Sequence, residues 1–169
     1  FDANTTLTYL DNIKYIDDFK NSGIKILLTQ KNLIKNISLN PEICFVFTPN
    51  PSKSFTEISN YAFDNNLYET ISNSVDKSIY IDESSYVSDK VNIGKNVKVG
   101  KNCVINENTI IEDNVSIGDN CIIGSEGLNI FRGENNNNLF NKSIGGVLIE
   151  KGVRVDNFVN ISKGTGGRV

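Results

Sequence analysis

The sequence predicts an α+β protein with a small α/β domain over residues 1–75 and a left-handed parallel β-helix over residues 76–169. Three observations support this prediction. An aliphatic residue recurs at every sixth position from Ile81, the segment before residue 75 alternates strand-like and helix-like patterns, and the six-residue frame breaks once, at about 124–148. Neither an α-helix nor an isolated strand has a period of six residues.

The six-residue frame continues without a break from Ile81 to Ile123, and a smaller or β-branched residue follows each aliphatic residue four positions later from Val87 onward. This self-similarity is typical of a hexapeptide solenoid, in which each repeat makes one short strand and one corner and three repeats close a turn. Asn recurs where a corner needs a left-handed backbone, which Asn tolerates better than most residues. The aliphatic positions are Ile81, Val87, Ile93, Val99, Ile105, Ile111, Ile117 and Ile123.

After Ile123 the frame is lost and resumes at Ile149, with Gly152 and Gly164 in the corner positions and Phe158 as a departure from the Asn/Gly pattern. Residues at about 124–148 are therefore predicted to leave the solenoid as an excursion. Its centre, "GENNNNLFNKS", favours a polar hairpin or loop tip. Long loops on a rigid solenoid commonly carry binding or subunit contacts.

The N-terminal part has the pattern of a small α/β domain. The runs "TTLTYL", "IKILLT" and "CFVFT" predict strands, the last two buried. "NIKYIDDFKNSG" predicts a helix that ends at Gly23, and "PSKSFTEISNYAF" predicts a second helix that begins near Pro51 and presents Phe55, Ile58 and Ala62 on one face.

The composition limits the possible functions. The net charge is −3, with 17 basic and 20 acidic residues in no basic block, which disfavours nucleic acid as the partner. No apolar run approaches a transmembrane length, and a cytoplasmic protein is expected. The three cysteines have no metal-ligand spacing and there is no histidine, so neither a metal nor another cofactor is predicted. Cys103 and Cys121 are separated by three hexapeptides, one full turn, which predicts that they stack in the solenoid interior.

"YLDNIKY" is the candidate binding motif of the N-terminal domain. Tyr9, Asn12 and Tyr15 lie at a junction between a strand and a helix. Two aromatic faces beside an amide that donates and accepts would suit a flat base with an imide edge, such as uracil. On residue types alone, a packing role is favoured, because tyrosines at the end of a strand are usually packing residues.

The order of these features resembles one family. A small α/β domain with "YLDNIKY", hexapeptides, and then "GSEGLNIF…SIGGVLIEKGVRVDNFVNISKGT" is similar to the UDP-3-O-acylglucosamine N-acyltransferases of lipid A assembly. The resemblance covers nearly the whole chain. Hexapeptides alone are shared by many acyltransferases, whereas the N-terminal motif and the excursion are more specific.

The resemblance implies a homotrimeric hexapeptide-repeat acyltransferase of lipopolysaccharide synthesis. It would move a 3-hydroxyacyl group from acyl carrier protein to the 2-amine of a UDP-amino sugar, with a histidine as general base. The family's aromatic–Asn–aromatic trio falls on Tyr9, Asn12 and Tyr15, which would bind the uridine.

The sequence departs from the family in three places. The histidine of the family lies about one turn beyond "VNISKGT", so the solenoid is expected to be truncated at its C-terminus, and no catalytic residue is assigned in this fragment, which is expected to be inactive alone. Ser162 and Lys163 replace the family's Asp-Arg, and "GLNI" replaces a usual G-F-G-F run. Arg132, Lys142 and Lys163 are candidate phosphate ligands or plain surface charges.

Two other functions remain open on the sequence. One is an N-acyl- or N-acetyltransferase for another UDP-amino sugar, of an O-antigen or a capsule. The other is a non-catalytic nucleotide-sugar-binding solenoid, which the absence of histidine would fit. No pair of carboxylates has catalytic spacing: Glu112 and Asp113 are expected to be solvated corner charges, and Asp156 is a weak candidate for a base.

Overall fold

The computed structural model describes residues 6–34, 41–132 and 137–166, which form two compact units. The first unit comprises Phe1–Asp64 and Asn129–Asn141, and the second comprises Asn65–Leu128 and Lys142–Val169. The predicted domain boundary at residue 75 lies later in the chain than this division. No helix in the described ranges is long and apolar enough to cross a membrane.

The first unit is built on a parallel sheet of three strands in the order β1-β2-β3, with β1 at Leu7–Leu10, β2 at Ile26–Thr29 and β3 at Cys44–Phe47. One 3₁₀ turn, Ile13–Tyr15, leads into helix α1, Ile16–Ser22. Helix α1 ends at Gly23, whose φ of 72° places it in the left-handed region that glycine adopts without a steric penalty. Helix α2 spans Pro51–Asp64. These are the predicted strands and helices of the α/β part.

Two details of the first unit differ from prediction. Strand β3 is largely exposed rather than buried, because it is an edge strand with a neighbour on one side only. On α2, Ile58 is exposed, whereas Thr56 and Ser59 are buried. The Thr56 hydroxyl donates to the Ser52 carbonyl at 2.9 Å, which satisfies this polar group and allows its burial.

The second unit consists of short strands whose bounds follow the six-residue frame. The chain visits three sheets in turn and returns to the same sheet at every third strand. Residues three hexapeptides apart therefore pair, as Tyr86 does with Val104. The strands before the excursion are β4 Ser74–Val75, β5 Tyr80–Ile81, β6 Tyr86–Val87, β7 Val91–Ile93, β8 Lys98–Val99, β9 Val104–Ile105, β10 Thr109–Ile111, β11 Ser116–Ile117 and β12 Ile122–Ser125.

The excursion contains an antiparallel hairpin of β13, Ile130–Arg132, and β14, Asn138–Phe140, which belongs to the first unit. Its predicted polar tip includes residues 133–136, which lie outside the described residues. The Asn60 amide of α2 donates to the Phe140 carbonyl at 2.7 Å and connects the hairpin to that helix.

Three further strands, β15 Val147–Ile149, β16 Arg154–Val155 and β17 Asn160–Ser162, continue the same three sheets. Thr109 pairs with Val91 on one side and with Val147 on the other, so the turn that contains the excursion is more than twice as long as the regular turn before it. The sheets are β4-β7-β10-β15, β5-β8-β11-β16 and β6-β9-β12-β17, all parallel; we call them the first, second and third sheets.

The three parallel sheets form the predicted hexapeptide coil. Its left-handed sense remains a prediction. It begins one strand before Ile81, because Val75 occupies the preceding position of the frame and pairs with Ile93. It resumes at Val147, so the excursion is shorter than the predicted 124–148.

The interior of the coil is filled by the residues of the frame. Ile105, Val99 and Ile123 are fully buried, as are the smaller residues Cys103 and Cys121. Both thiols donate to backbone carbonyls at 3.0 Å, Cys103 to Gly118 and Cys121 to Asp156. Burial is the main cause that raises the pKa of the Cys103 thiol. These cysteines therefore serve as small core residues, as predicted.

The corners have the left-handed backbone that the recurring Asn predicts. Five corner asparagines have φ values between 53° and 61°, and Gly152 has 75°. Gly164 is not left-handed, so its expected corner conformation is wrong, whereas Phe158 adopts φ 60° although aromatic residues disfavour it. Its backbone N–H donates to the Asp119 carbonyl at 3.0 Å, which holds the corner in place. The five asparagines are Asn96, Asn102, Asn108, Asn114 and Asn120.

Replacing Phe158 by Asn is expected to stabilise the protein by about 1 kcal/mol, because Asn relieves the left-handed strain. The Phe158 side chain is 78% exposed, so its removal costs little burial. Phe158→Ala is the control, because alanine removes the ring and keeps the strain. Urea denaturation that ranks Ala at or above Asn would contradict this explanation.

Candidate functional site

The three predicted binding residues follow one another at the carboxyl end of β1. Tyr9 lies in the strand, Asn12 directly precedes the 3₁₀ turn, and Tyr15 ends that turn. Because β1, β2 and β3 are parallel, their carboxyl ends meet at one edge of the sheet, where open α/β sheets commonly bind ligands. Loop and turn residues here are therefore well placed for binding.

Tyr9 packs on helix α2 and keeps part of its ring accessible. Its ring centroid lies 5.2 Å from that of Phe55, at an interplanar angle of 44°. Burial raises the pKa of Tyr9 most, and the neighbouring Asp11 and Tyr15 raise it further. Tyr9 thus stays a neutral hydroxyl at physiological pH. The packing role that the sequence left open for Tyr9 coexists with an accessible face.

Asn12 is an N-cap residue. Its Oδ1 accepts a hydrogen bond from the Lys14 backbone N–H at 3.0 Å, and its carbonyl accepts one from the Tyr15 N–H at 3.2 Å. These bonds fix the turn between the two tyrosines. An amide oxygen has two lone pairs, so Oδ1 keeps one acceptor position and the NH₂ group supplies the donors of the site.

Tyr15 is 49% exposed and is flanked by a cation. The Lys14 ammonium lies 4.5 Å from its ring centroid, within the range of a cation–π interaction. The charge is therefore held beside a ring face that a base could stack on. The spacing of the motif does not indicate a role for Lys14, and the sequence pattern of α2 places Phe55 only on the apolar face of that helix.

A cleft of about 590 Å³ opens at the carboxyl ends of β2 and β3 in the same unit. Phe47, which ends β3, contributes an exposed ring to it. The sequence gives no sign of this cleft, because its lining comes from two loops with no distinctive motif. The lining residues are Gln30, Lys31, Asn32, Phe47, Thr48 and Pro49.

The other charged candidates fall into two groups. Arg132 is exposed, and Asp156 is exposed and pairs with Arg154 at 3.4 Å. Lys163, by contrast, is not the plain surface charge that the sequence allowed. Its side chain is only 8% exposed and pairs with Glu126 at 2.8 Å, because the corner after β17 turns it inward.

Glu112 and Asp113 are also more than solvated charges. The Lys151 backbone N–H donates to Glu112 Oε2 at 2.8 Å, and the Lys95 N–H donates to Asp113 Oδ1 at 2.8 Å. Each carboxylate thus accepts a hydrogen bond from the backbone of a neighbouring turn of the coil. In the described part of the chain, no group of three or more His, Cys, Asp or Glu residues could hold a metal ion.

The Glu126–Lys163 ion pair should make the free energy of unfolding depend on pH in the acidic range. Burial opposes ionisation of Glu126, yet the bonds from Lys163 and the Ser143 N–H outweigh it and lower its pKa in the folded state. The stabilisation of the folded state by ionised Glu126 is therefore complete above the pKa of Glu in the unfolded chain, about 4.3. It is lost as the pH falls from there through the lower pKa of the folded state. Glu126→Gln should reduce this acid-dependent loss in urea titrations at pH 6 and pH 3.5. An unchanged pH difference would contradict the assignment.

The comparisons with known proteins agree with the coil. Residues 96–126 match the family described as "Bacterial transferase hexapeptide (six repeats)". The matched segment runs from the corner at Asn96 to Glu126 and includes strands β8 to β12. No curated protein gives a significant match to the chain.

The hexapeptide match supports the hexapeptide-repeat acyltransferase superfamily, and with it a general acyl- or acetyltransferase role. The match lies wholly within the second unit and outside "YLDNIKY". It therefore supports the class of reaction and does not identify the substrate.

Proposed function

We propose that this chain belongs to an N-acyltransferase that acts on a UDP-amino sugar, most specifically UDP-3-O-acylglucosamine in lipid A synthesis. The acyl donor would be acyl carrier protein, and the assembly a cytoplasmic homotrimer of left-handed coils. Tyr9, Asn12 and Tyr15 would bind the uridine. The main support is that an N-cap amide and two partly exposed tyrosines lie within one short segment at the carboxyl end of a strand of a parallel sheet.

Each residue has a separate task in this proposal. The Tyr15 ring would stack on the pyrimidine, and Tyr9, supported by Phe55, would bound the other side of the site. The Asn12 amide would read the imide edge of uracil, since it offers one donor and one acceptor side by side. The Lys14 ammonium, beside Tyr15, would favour an anionic ligand such as a nucleotide.

The acyl transfer itself would follow the chemistry of the superfamily. The amine nitrogen attacks the thioester carbonyl, the C–N bond forms, the C–S bond breaks, and the thiolate leaves with the proton that a general base removed from the amine. The coil would supply a rigid surface for the two substrates. No residue of this chain is assigned as the base.

Nucleotide binding tests the proposal directly. UMP should bind more tightly than CMP in isothermal titration calorimetry, by about tenfold, because cytosine replaces the N3–H donor of uracil with an acceptor and leaves one polar contact mismatched. Equal heats for UMP and CMP would reject base recognition by Asn12. Absence of binding by either nucleotide would reject the site.

A further inference from the structure

Residues 67–73, which directly precede strand β4, belong to the second unit and have no regular secondary structure. We call this segment the strap. Only Tyr68 and Ile71 of the strap are half-buried, and its other residues are exposed. Segments with few buried side chains open at a low cost in free energy, and the lids of binding sites are drawn from such segments.

Asn108 holds the backbone of the strap with both ends of its amide group. Its Oδ1 accepts a hydrogen bond from the Ile71 N–H at 3.1 Å, and its Nδ2 donates to the Glu69 carbonyl at 3.3 Å. The amide thus takes the place that the backbone of a partner strand would have in a sheet. Asn108 is 4% exposed, whereas the other corner asparagines are exposed. Asn108 therefore fixes the strap in addition to forming its left-handed corner.

The strap reaches a pocket of about 280 Å³ at the ends of the strands of the third sheet. The backbone of this pocket is irregular, because the pairing of β12 with β17 shifts between Ile123 and Ser125 and makes Gly124 a bulge with φ 79°. Bulges redirect the neighbouring side chains and are common beside functional sites. The lining of the pocket includes Ser88, Asn106, Glu107, Gly124, Glu126 and Lys163.

Glu107 is the lining residue that the strap contacts. The Tyr68 hydroxyl donates to Glu107 Oε1 at 3.1 Å, and the Lys90 ammonium lies 3.3 Å from Oε2. Both carboxylate oxygens thus have a partner while the strap is closed. Burial raises the pKa of Tyr68 most, and Glu107 and Glu126 raise it further, so the hydroxyl keeps the proton that it donates. The closed strap therefore occupies an acceptor atom of the pocket.

We propose that the strap is a lid that opens as one segment, and that its closed state is autoinhibitory because the Tyr68 hydroxyl occupies the carboxylate that a donor group of a ligand would otherwise use. Opening breaks the bonds of Tyr68, Glu69 and Ile71 and leaves the three sheets of the coil paired. This inference goes beyond the proposed function and does not depend on the identity of the substrate.

Amide hydrogen exchange of the ¹⁵N-labelled protein tests whether the strap opens as one segment. Tyr68→Phe removes only the hydroxyl, and it should raise the exchange rate of the Ile71 amide about tenfold, although the acceptor of that amide on Asn108 is untouched. The Gly100 amide, which donates to the Ile117 carbonyl within the coil, should keep its rate. An unchanged exchange rate of the Ile71 amide in Tyr68→Phe would overturn the opening as one segment.

Asn108→Gly tests the strap from its other contact. Glycine keeps the left-handed corner and removes the amide, so the Tyr68 hydroxyl should leave Glu107 more often. Coupling of glycine ethyl ester to the Glu107 carboxylate with a water-soluble carbodiimide, followed by mass spectrometry, should become about tenfold faster. The matched control is Asn102→Gly, an exposed corner with φ 53°, which should leave the labelling rate unchanged.

Equal labelling of Glu107 in Asn108→Gly and Asn102→Gly would show that the strap does not cover this carboxylate, and it would overturn the autoinhibitory contact. Neither measurement contains a nucleotide. A failure of UMP to bind would therefore reject the uridine site and leave the strap in place, whereas unchanged exchange and labelling would reject the strap alone.

Discussion

Ile123→Ala is expected to lower the free energy of unfolding of the coil by about 3 kcal/mol. The Ile123 side chain is fully buried in the interior of the coil, with pairing partners on both sides of its strand. Truncation removes buried methyl groups and leaves a cavity that rigid, hydrogen-bonded turns cannot close. The measurement is urea denaturation, in which the midpoint should fall while the slope stays constant.

Ile122→Ala is the matched control for this prediction. It is the same residue type on the same strand, but its side chain points outward and is 40% exposed. Its truncation should cost less than about 1 kcal/mol, because little apolar area leaves the interior. Equal losses for Ile122 and Ile123 would mean that the frame does not define the core.

Tyr15→Ala is expected to reduce the affinity for UMP at least about tenfold, because it removes the stacking face of the proposed uridine site. The ring is half-exposed, and no residue of its 3₁₀ turn is buried, so alanine should disturb little packing. The loss should therefore appear in binding and not in thermal stability. Isothermal titration calorimetry gives the affinity, and a thermal melt of the same sample gives the stability.

Two variants make the Tyr15 experiment specific. Tyr15→Phe keeps the ring and should retain most of the affinity. Tyr61→Ala removes an exposed tyrosine on α2 that is not part of the motif, and it should leave UMP binding unchanged. If Tyr15→Ala binds UMP as tightly as the unaltered protein, the base does not stack on this ring.

The coil was predictable from the sequence because one rule repeats in it. Each of the residues from Ile93 to Ile123 at a spacing of six is buried, and each corner Asn between Asn96 and Asn120 is left-handed. Two positions depart from the rule, one in residue type and one in backbone conformation. Phe158 takes the left-handed corner with the same kind of N–H bond that Asn114 and Asn120 make to the preceding turn, so the position and not the residue type sets its backbone, whereas Gly164 lies beyond the last paired strand and is not left-handed.

The environment of the candidate sites was less predictable. The motif places Tyr9, Asn12 and Tyr15 in one short segment, but it does not reveal that Phe55 supports Tyr9 or that Lys14 flanks Tyr15. The pocket around Gly124 was not anticipated at all. Its residues come from several turns of the coil, and the bulge that shapes it depends on pairing with a strand beyond the excursion, Ser125 with Ser162.

The pairing interval also limits how the length of the chain can change. Since neighbours in each sheet are one turn of three hexapeptides apart, an insertion or deletion inside the coil preserves the ladder only when it equals a complete turn. This limit does not apply between β12 and β15, because the residues of the excursion are not part of the ladder, and pairing resumes only at Val147, opposite Thr109. A change of length in this segment therefore leaves the pairing of the ladder intact, whereas the coil itself can grow or shrink only by duplicating or losing whole turns.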